Sequence, residues 1–249
     1  HATQVELALG AGKNVFVEKP LALKLDELDG IDKTFQRVNE SRTSPVRLMI
    51  GFNRRFAPHI VKMKSLLEGK NEPKIIIITV NAGEVPAEHW TQDPEIGGGR
   101  IVGEGCHFID LMRFLVGKSI VNHQAMLIGD SCKNGIIDDK VSINLSFSDG
   151  SFGTIHYLAN GGKVFPKERL EVFCENAVLQ LDNYRVLKGF GWKGFNKMKL
   201  FKQDKGQKAC AKAFVDAIRN GKPAPIPYDE LMESSRISIE VAESLKKNL

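Results

Sequence analysis

Two residues far apart in this chain, Lys19 and His107, sit in settings where a side chain could move a proton or steady a developing charge. Lys19 belongs to Val15-Phe16-Val17-Glu18-Lys19-Pro20. Val, Phe and Val favour a pleated strand, and Pro20 cannot donate to a ladder, so the strand stops there. Glu18 and Lys19 therefore stand at a strand's carboxyl end, where open α/β sheets gather their ligands. An ammonium group at that place can polarise a hydroxyl or transfer its proton. The plainer alternative is a charged strand end in water.

His107 lies in Gly97-Gly98-Gly99-Arg100-Ile101-Val102-Gly103-Glu104-Gly105-Cys106-His107-Phe108-Ile109-Asp110. The glycine run lets backbone approach something closely, and a helix is expected to follow at once. His107 and Asp110, three apart, are neighbours on one helical face. Here a histidine can bind a hydroxyl or act as general base, or it can be a core residue bonded to its neighbours. Cys106, His107 and Asp110 lack a third convergent ligand for zinc and lack the orienting partner that a thiol nucleophile needs.

Two further stretches carry groups for binding. Asn53-Arg54-Arg55-Phe56-Ala57-Pro58 follows a short strand, Leu48 to Phe52. Its guanidiniums suit phosphate or carboxylate, and equally the protein's own acids. The loop between Gly83 and Gly99 holds His89, Trp90 and Asp93. Trp90 can stack on a ring-shaped ligand or anchor the loop to the core.

The elements that position these groups follow from periodicity. Ala2 to Ala11 reads as a helix closed by Gly12. Helix, glycine turn and strand together form the second half of a parallel βαβ unit. Leu25 to Asn39 has helical spacing, weakened by Gly30. His59 to Glu68 is a further helix. The stretch Glu68 to Pro73 reads as a linker, which sets domains at residues 1–72 and 73–249. Beyond it the pattern turns mainly to strands: Ile75–Val80, Val141–Phe147, Gly153–Tyr157, Leu170–Cys174 and Val178–Leu181, joined by hairpin turns at Ser148-Asp149-Gly150 and Glu175-Asn176. Such a run implies a largely antiparallel sheet with one open face. Gly206 to Asn220 reads as a helix, and Asp229 is expected to cap a last one reaching Lys247.

The segment from His1 to Ala22, with its Glu18-Lys19-Pro20 triplet, resembles the glucose–fructose oxidoreductase / inositol dehydrogenase / rhizopine-catabolism (Gfo/Idh/MocA) family. So do Gly51-Phe52-Asn53-Arg54-Arg55-Phe56 and the Gly-Gly-Gly … His-x-x-Asp pattern, and the likeness covers nearly the whole chain. It implies the C-terminal part of a Rossmann-like domain, then an α+β domain with a largely antiparallel open sheet. It implies an NAD(P)-dependent oxidoreductase passing a hydride between a nicotinamide and a sugar, polyol or sugar-nucleotide hydroxyl. Lys19 and His107 would be catalytic, and Glu18, Lys19, Pro20 and Arg54 would meet the cofactor, NAD or NADP. Lys19, Trp90, Glu104, His107 and Asp110 would meet the substrate. Assembly into a homo-oligomer through the sheet is also implied. Family members commonly place an aspartate one helical turn before the histidine; here that position is Gly103, with Glu104 beside it, roughly 60° around the helix from His107. A non-catalytic dimerisation or scaffold module with lost chemistry is the alternative.

No Gly-x-Gly-x-x-Gly turn stands between a strand and a helix. Gly97-Gly98-Gly99 comes too late in the order, and Gly189 and Gly191 stand in a basic loop. The expectation is a chain lacking the phosphate-binding half of its nucleotide domain and inactive alone.

Composition narrows the remaining classes. At 42% hydrophobic, 26% charged and net +5, the chain is an ordinary globular protein. Its lysines are spread out, which argues against nucleic acid as a partner. The exception is Lys188, Lys193, Lys197, Lys199 and Lys202, interleaved with Phe190, Trp192 and Phe195; this reads better as a curved edge hairpin than as a single-strand platform. Cys106, Cys132, Cys174 and Cys210 show no paired spacing and are expected to be reduced thiols, without metal. No run approaches about 18 apolar residues, so no membrane span is expected, and a cytoplasmic setting is inferred.

Overall fold

The computed structural model describes residues 1–40, 42–93, 95–128 and 139–247. Cys132 lies outside the described residues.

Helix α1 (Ala2–Gly10) buries Val5 and Leu9. It ends where Gly12, at φ +69°, turns its N–H to the Leu9 carbonyl while Lys13 reaches back to Ala8. Strand β1 (Val15–Val17) follows, then α2 (Leu25–Glu40) and β2 (Leu48–Ile50). β1 and β2 pair in parallel, Val15 opposite Leu48 and Val17 opposite Ile50, with α2 as the crossover. A 3₁₀ turn at Asn53–Phe56 then leads into α3 (Pro58–Leu67), whose first residue is a proline that loses no helical bond there.

The second layer is an eight-stranded sheet. In order of chain appearance its strands are β3 (Ile75–Asn81), β4 (Ile120–Leu127), β5 (Lys140–Phe147), β6 (Phe152–Leu158), β7 (Glu168–Cys174), β8 (Ala177–Asp182), β9 (Val186–Phe190) and β10 (Lys197–Lys199). The spatial order is β10-β9-β8-β7-β3-β6-β5-β4, antiparallel except where β3 meets β6. The turns Glu175-Asn176 and Asn183-Tyr184 both run at positive φ, as two-residue hairpins require. The basic, aromatic stretch is the β9–β10 edge hairpin, with Trp192 and Phe195 buried. Those rings are thus unavailable as a base-stacking platform.

Between β3 and β4 lies α4 (Cys106–Val116), which packs across the inner sheet face. Gly153 of β6 makes this approach possible: a Cβ there would sit 2.6 Å from the Met112 sulfur and 2.7 Å from the Ile76 carbonyl oxygen. The carboxyl end of α4 is closed by Gly117 at φ +75°, and Lys64 of α3 donates to the Phe114 carbonyl.

Helices α5 (Gln207–Arg219) and α6 (Tyr228–Lys247) complete the chain. α6 packs on α4, β4, β2 and α2. At its start Tyr228 stacks on Phe35, ring centroids 3.9 Å apart, and donates to Asp32. One apolar core runs from Ala2 to Leu245.

Three sequence expectations change. Asp229 lies inside the first turn of α6, which begins at Tyr228, and so does not cap it. A helix does follow the glycine run at once, from Gly99, but it is wound as a π-turn over Ile101–Gly105 before α4. Strand β4 was not foreseen, since it is an edge strand with a bulge after Ile120 and with Val121 and Met126 exposed, which blurs its alternation.

Candidate active site

β1 stops at Val17, and Glu18 and Lys19 project beyond the rim of the parallel pair. The Lys19 ammonium donates to the Gly103 carbonyl oxygen at 2.6 Å. That carbonyl belongs to the π-turn, whose wider winding frees backbone oxygens from the regular helical ladder. Gly103 is four residues before His107, in the first turn of α4.

The Glu18–Lys19 strand end and the Gly103–His107 stretch separate two hollows. The first, about 340 Å³, is lined by Glu18, Gly51, Asn53, Arg54, His107 and Lys205. The second, about 290 Å³, is lined by Lys19, Trp90, Arg100, Gly103, Glu104 and Lys167. Lys19 and His107 thus line neighbouring hollows and not one shared hollow, on the two sides of one turn. Their charges are near enough that the ammonium helps to hold the imidazole unprotonated.

His107 is 6% exposed. Its ring stands edge-on to Phe52, and its Nδ1 is buried without a partner. Burial, then Arg54 and Lys19, push its pKa well below the ordinary histidine value of 6.5. The ring is therefore neutral at pH 7 and able to accept a proton. Cys106, one residue earlier, is a poor nucleophile: burial drives its thiol pKa up to about 12. Cys106, Cys174 and Cys210 are all free thiols. Among the described residues no group of three or more His, Cys, Asp or Glu side chains could hold a metal ion.

The two arginines are engaged by the protein's own acids. Arg54 grips Glu168 through Nε and Nη2, both at 2.9 Å, and Lys205 shares that carboxylate at 2.6 Å. The Arg54 guanidinium also lies 4.6 Å over the Phe108 ring, which fixes α4 beneath it. Arg54 still borders the first hollow. Arg55 binds Asp110 at 2.6 Å and also Glu230. Asp110, expected to meet substrate, is fully buried in that pair and faces neither hollow.

Glu104 borders the second hollow beside Lys19. Its carboxylate accepts from Tyr157 Oη at 2.6 Å, Lys167 Nζ at 3.1 Å and Arg100 Nη2 at 3.2 Å. Burial opposes the charge, but Lys167, Tyr157 and Arg100 outweigh it and bring the pKa down to about 2. Pro20 and Trp90 border the same hollow, and Trp90 is 60% exposed, so it does not anchor its loop in the core. The loop is held instead by Gly97, packed so closely on the Trp90 carbonyl that a Cβ would meet it at 2.5 Å.

Sequence reasoning missed Tyr157, Arg100, Lys167 and Lys205. Tyr157 had a signal, since it takes an inward place in the alternation of β6; so did Arg100, which follows the glycine run. Lys167 and Lys205 stand in connecting segments and carried none.

Residues 61–180 match the family model described as the GFO/IDH/MocA C-terminal domain. The chain is 30% identical over 191 residues to the uncharacterized oxidoreductase YrbE of Bacillus subtilis, covering 74% of this chain and 53% of that protein. It is 26% identical over 189 residues to the myo-inositol 2-dehydrogenase of Thermotoga maritima, covering 74% and 54%. The alignments thus span about half the length of these curated relatives. The aldose-aldose oxidoreductase of Caulobacter crescentus, solved with glycerol, shares the fold with a TM-score of 0.80 at 18% identity, over 100% of this chain and 75% of that one.

Proposed function

This chain belongs to the GFO/IDH/MocA family of oxidoreductases, and on that footing we propose that it serves an NAD(P)-dependent dehydrogenase acting on a secondary hydroxyl of a sugar or polyol. The observation that carries the reading is the Lys19–Gly103 contact of 2.6 Å, which ties the strand-end ammonium to the turn that opens onto His107.

The first hollow fits the nicotinamide end of the cofactor. It lies past the carboxyl ends of β1 and β2, and its floor is open because residue 51 is glycine: a Cβ there would stand 3.1 Å from the Glu18 carboxylate. Glu18, Asn53 and Gln207 offer the acceptors and donors a carboxamide needs. A bound nicotinamide supplies the hydride acceptor or donor. The chain's own residues do the rest. Lys19 donates a hydrogen bond to the reacting hydroxyl and steadies negative charge on its oxygen. His107, neutral at the edge of the first hollow, takes that hydroxyl's proton once the substrate reaches past the Lys19–Gly103 contact that parts the two hollows. Trp90 offers a face against which a sugar ring stacks. The sequence holds no glycine-rich turn between strand and helix, so donors for the cofactor's phosphates are not among the residues named here.

Assembly through the sheet belongs to the same reading. Phe152, Ile75, Phe173, Val178 and Phe190 are successive cross-strand partners over β6, β3, β7, β8 and β9. They form a continuous apolar stripe on the outer face, suited to a second copy of the chain. No helix is long and apolar enough to cross a membrane among the described residues.

The test is reduction of NAD⁺ or NADP⁺ over a panel of polyols and aldoses. Activity that falls in both Lys19→Ala and His107→Ala supports the dehydrogenase. Activity that survives either change removes these residues from the chemistry, and silence over the panel favours the non-catalytic module.

A further inference from the structure

The hollow beside Lys19 carries more positive charge than its one acid can balance. Three cations border it: Lys19, Arg100 and Lys167. Glu104 is its only carboxylate among the described residues, and His89 its only other titratable side chain. Glu104 is already saturated, with Tyr157, Arg100 and Lys167 as donors. Lys19 gives one of its three N–H bonds to a neutral carbonyl. Arg100 is 5% exposed, and its Nη1 is buried with no partner. Natural proteins rarely leave a buried guanidinium donor unmatched, because the cost of desolvation is then not recovered. Lys167 is the accessible member, its side chain 43% exposed.

We infer that this hollow receives an anionic group of the substrate, a carboxylate or a phosphate, at the Lys167–Arg100 side, while the hydroxyl to be oxidised lies toward Lys19. The substrate class is then a sugar acid or a sugar phosphate, not a neutral polyol. The inference rests on the dehydrogenase reading and narrows it. The geometry suits the task. Glu104 and Tyr157 hold Arg100 in place, so the anion meets a preset charge; Lys167 swings between the Glu104 carboxylate and the incoming group. Trp90 lies on the open side, where the ring of a bound sugar would face it.

The experiment is calorimetric titration of the full chain with D-galacturonate, D-galactose 1-phosphate and D-galactose, on the native protein and on Lys167→Gln. The expected result is that at least one acid binds roughly tenfold or more tightly than galactose, the worth of one charge-assisted hydrogen bond. Lys167→Gln should remove most of that advantage, weakening the acids far more than galactose; Lys167→Arg should keep it. The stronger of the two acids identifies carboxylate or phosphate as the source of the charge. Equal binding of all three, no binding of any, or an advantage that survives Lys167→Gln would each overturn the inference. Reduction of NAD(P)⁺ by a neutral polyol, with both acids ignored, would sink this proposal while leaving the dehydrogenase standing.

Discussion

The Arg55 guanidinium closes on the Asp110 carboxylate at 2.6 Å, and both side chains are buried where the β2 rim meets α4. Glu230 of α6 binds the same arginine. Burial raises the Asp110 pKa against the pull of Arg55, so the pair is held by geometry in a place that disfavours either charge alone. Because Asp110 is one turn beyond His107, this pair sets where the histidine stands.

Removing both partners should therefore cost less than the two single removals added together. Asp110→Ala is expected to cost about 3 kcal/mol by urea unfolding, since it leaves a buried guanidinium with Glu230 as its one remaining carboxylate. Arg55→Met with Asp110→Leu should cost clearly less than the sum of the single changes. Additive losses would show that the pair does not act as a unit.

Acid should unfold the protein in two stages. His107 and His59 both sit below 6.5 when folded, so between their folded values and 6.5 the unfolded chain binds protons that the fold refuses. Stability from them is complete above about pH 6.5 and falls as pH drops below it. Glu104, lowered from 4.5 to about 2, adds stability that is complete above pH 4.5 and lost on the way to 2. Melting temperatures across pH should show both declines, with the first reduced in His107→Asn and the second reduced in Glu104→Gln, where Glu168, also held low by Arg54 and Lys205, still contributes. The acid limb of kcat/KM should likewise lie well below pH 6.5.

Gly153 should not tolerate even a methyl group. Gly153→Ala places a Cβ against Met112 and the Ile76 carbonyl, and the expected loss is about 1–3 kcal/mol. Met112→Ala in the same chain should recover only part of it, because the carbonyl remains. A melting temperature unchanged in Gly153→Ala would contradict this account of how α4 seats on the sheet.

The outer stripe should hold two copies together. Phe173→Lys, at its middle, is expected to turn a dimer into a monomer by light scattering, with the far-ultraviolet circular dichroism unchanged. A native chain that is monomeric at high concentration would refute the assembly.

Much of this was legible before the structure. β1 and β2, α1 to α3 and the strands of the sheet other than β4 follow from period and punctuation, because Gly12, Pro20 and the turn at Glu175-Asn176 leave few other choices. Lys19, His107, Glu104 and Trp90 were singled out from their motifs, and the structure sets Lys19, Trp90 and Glu104 on one hollow and His107 on its neighbour. The site's partners were not legible. Whether Arg54 meets a ligand or Glu168 depends on a contact across a separation of 114 in sequence, which local pattern does not encode. The π-turn was hidden for a similar reason: Gly103 and Gly105 weaken helix propensity, and only the packing of the Gly97 loop and Lys19 decides how that weakness resolves.

The central claim is that Lys19 and His107 serve one hydroxyl. A double-mutant cycle on kcat/KM for NAD(P)⁺ reduction, with Lys19→Met, His107→Asn and the pair together, tests it most directly. If the two act on the same oxygen, each single change should cost about 10²-fold or more, and the double should be little worse than the poorer single. Losses that multiply independently, or a single variant with full activity, would contradict it.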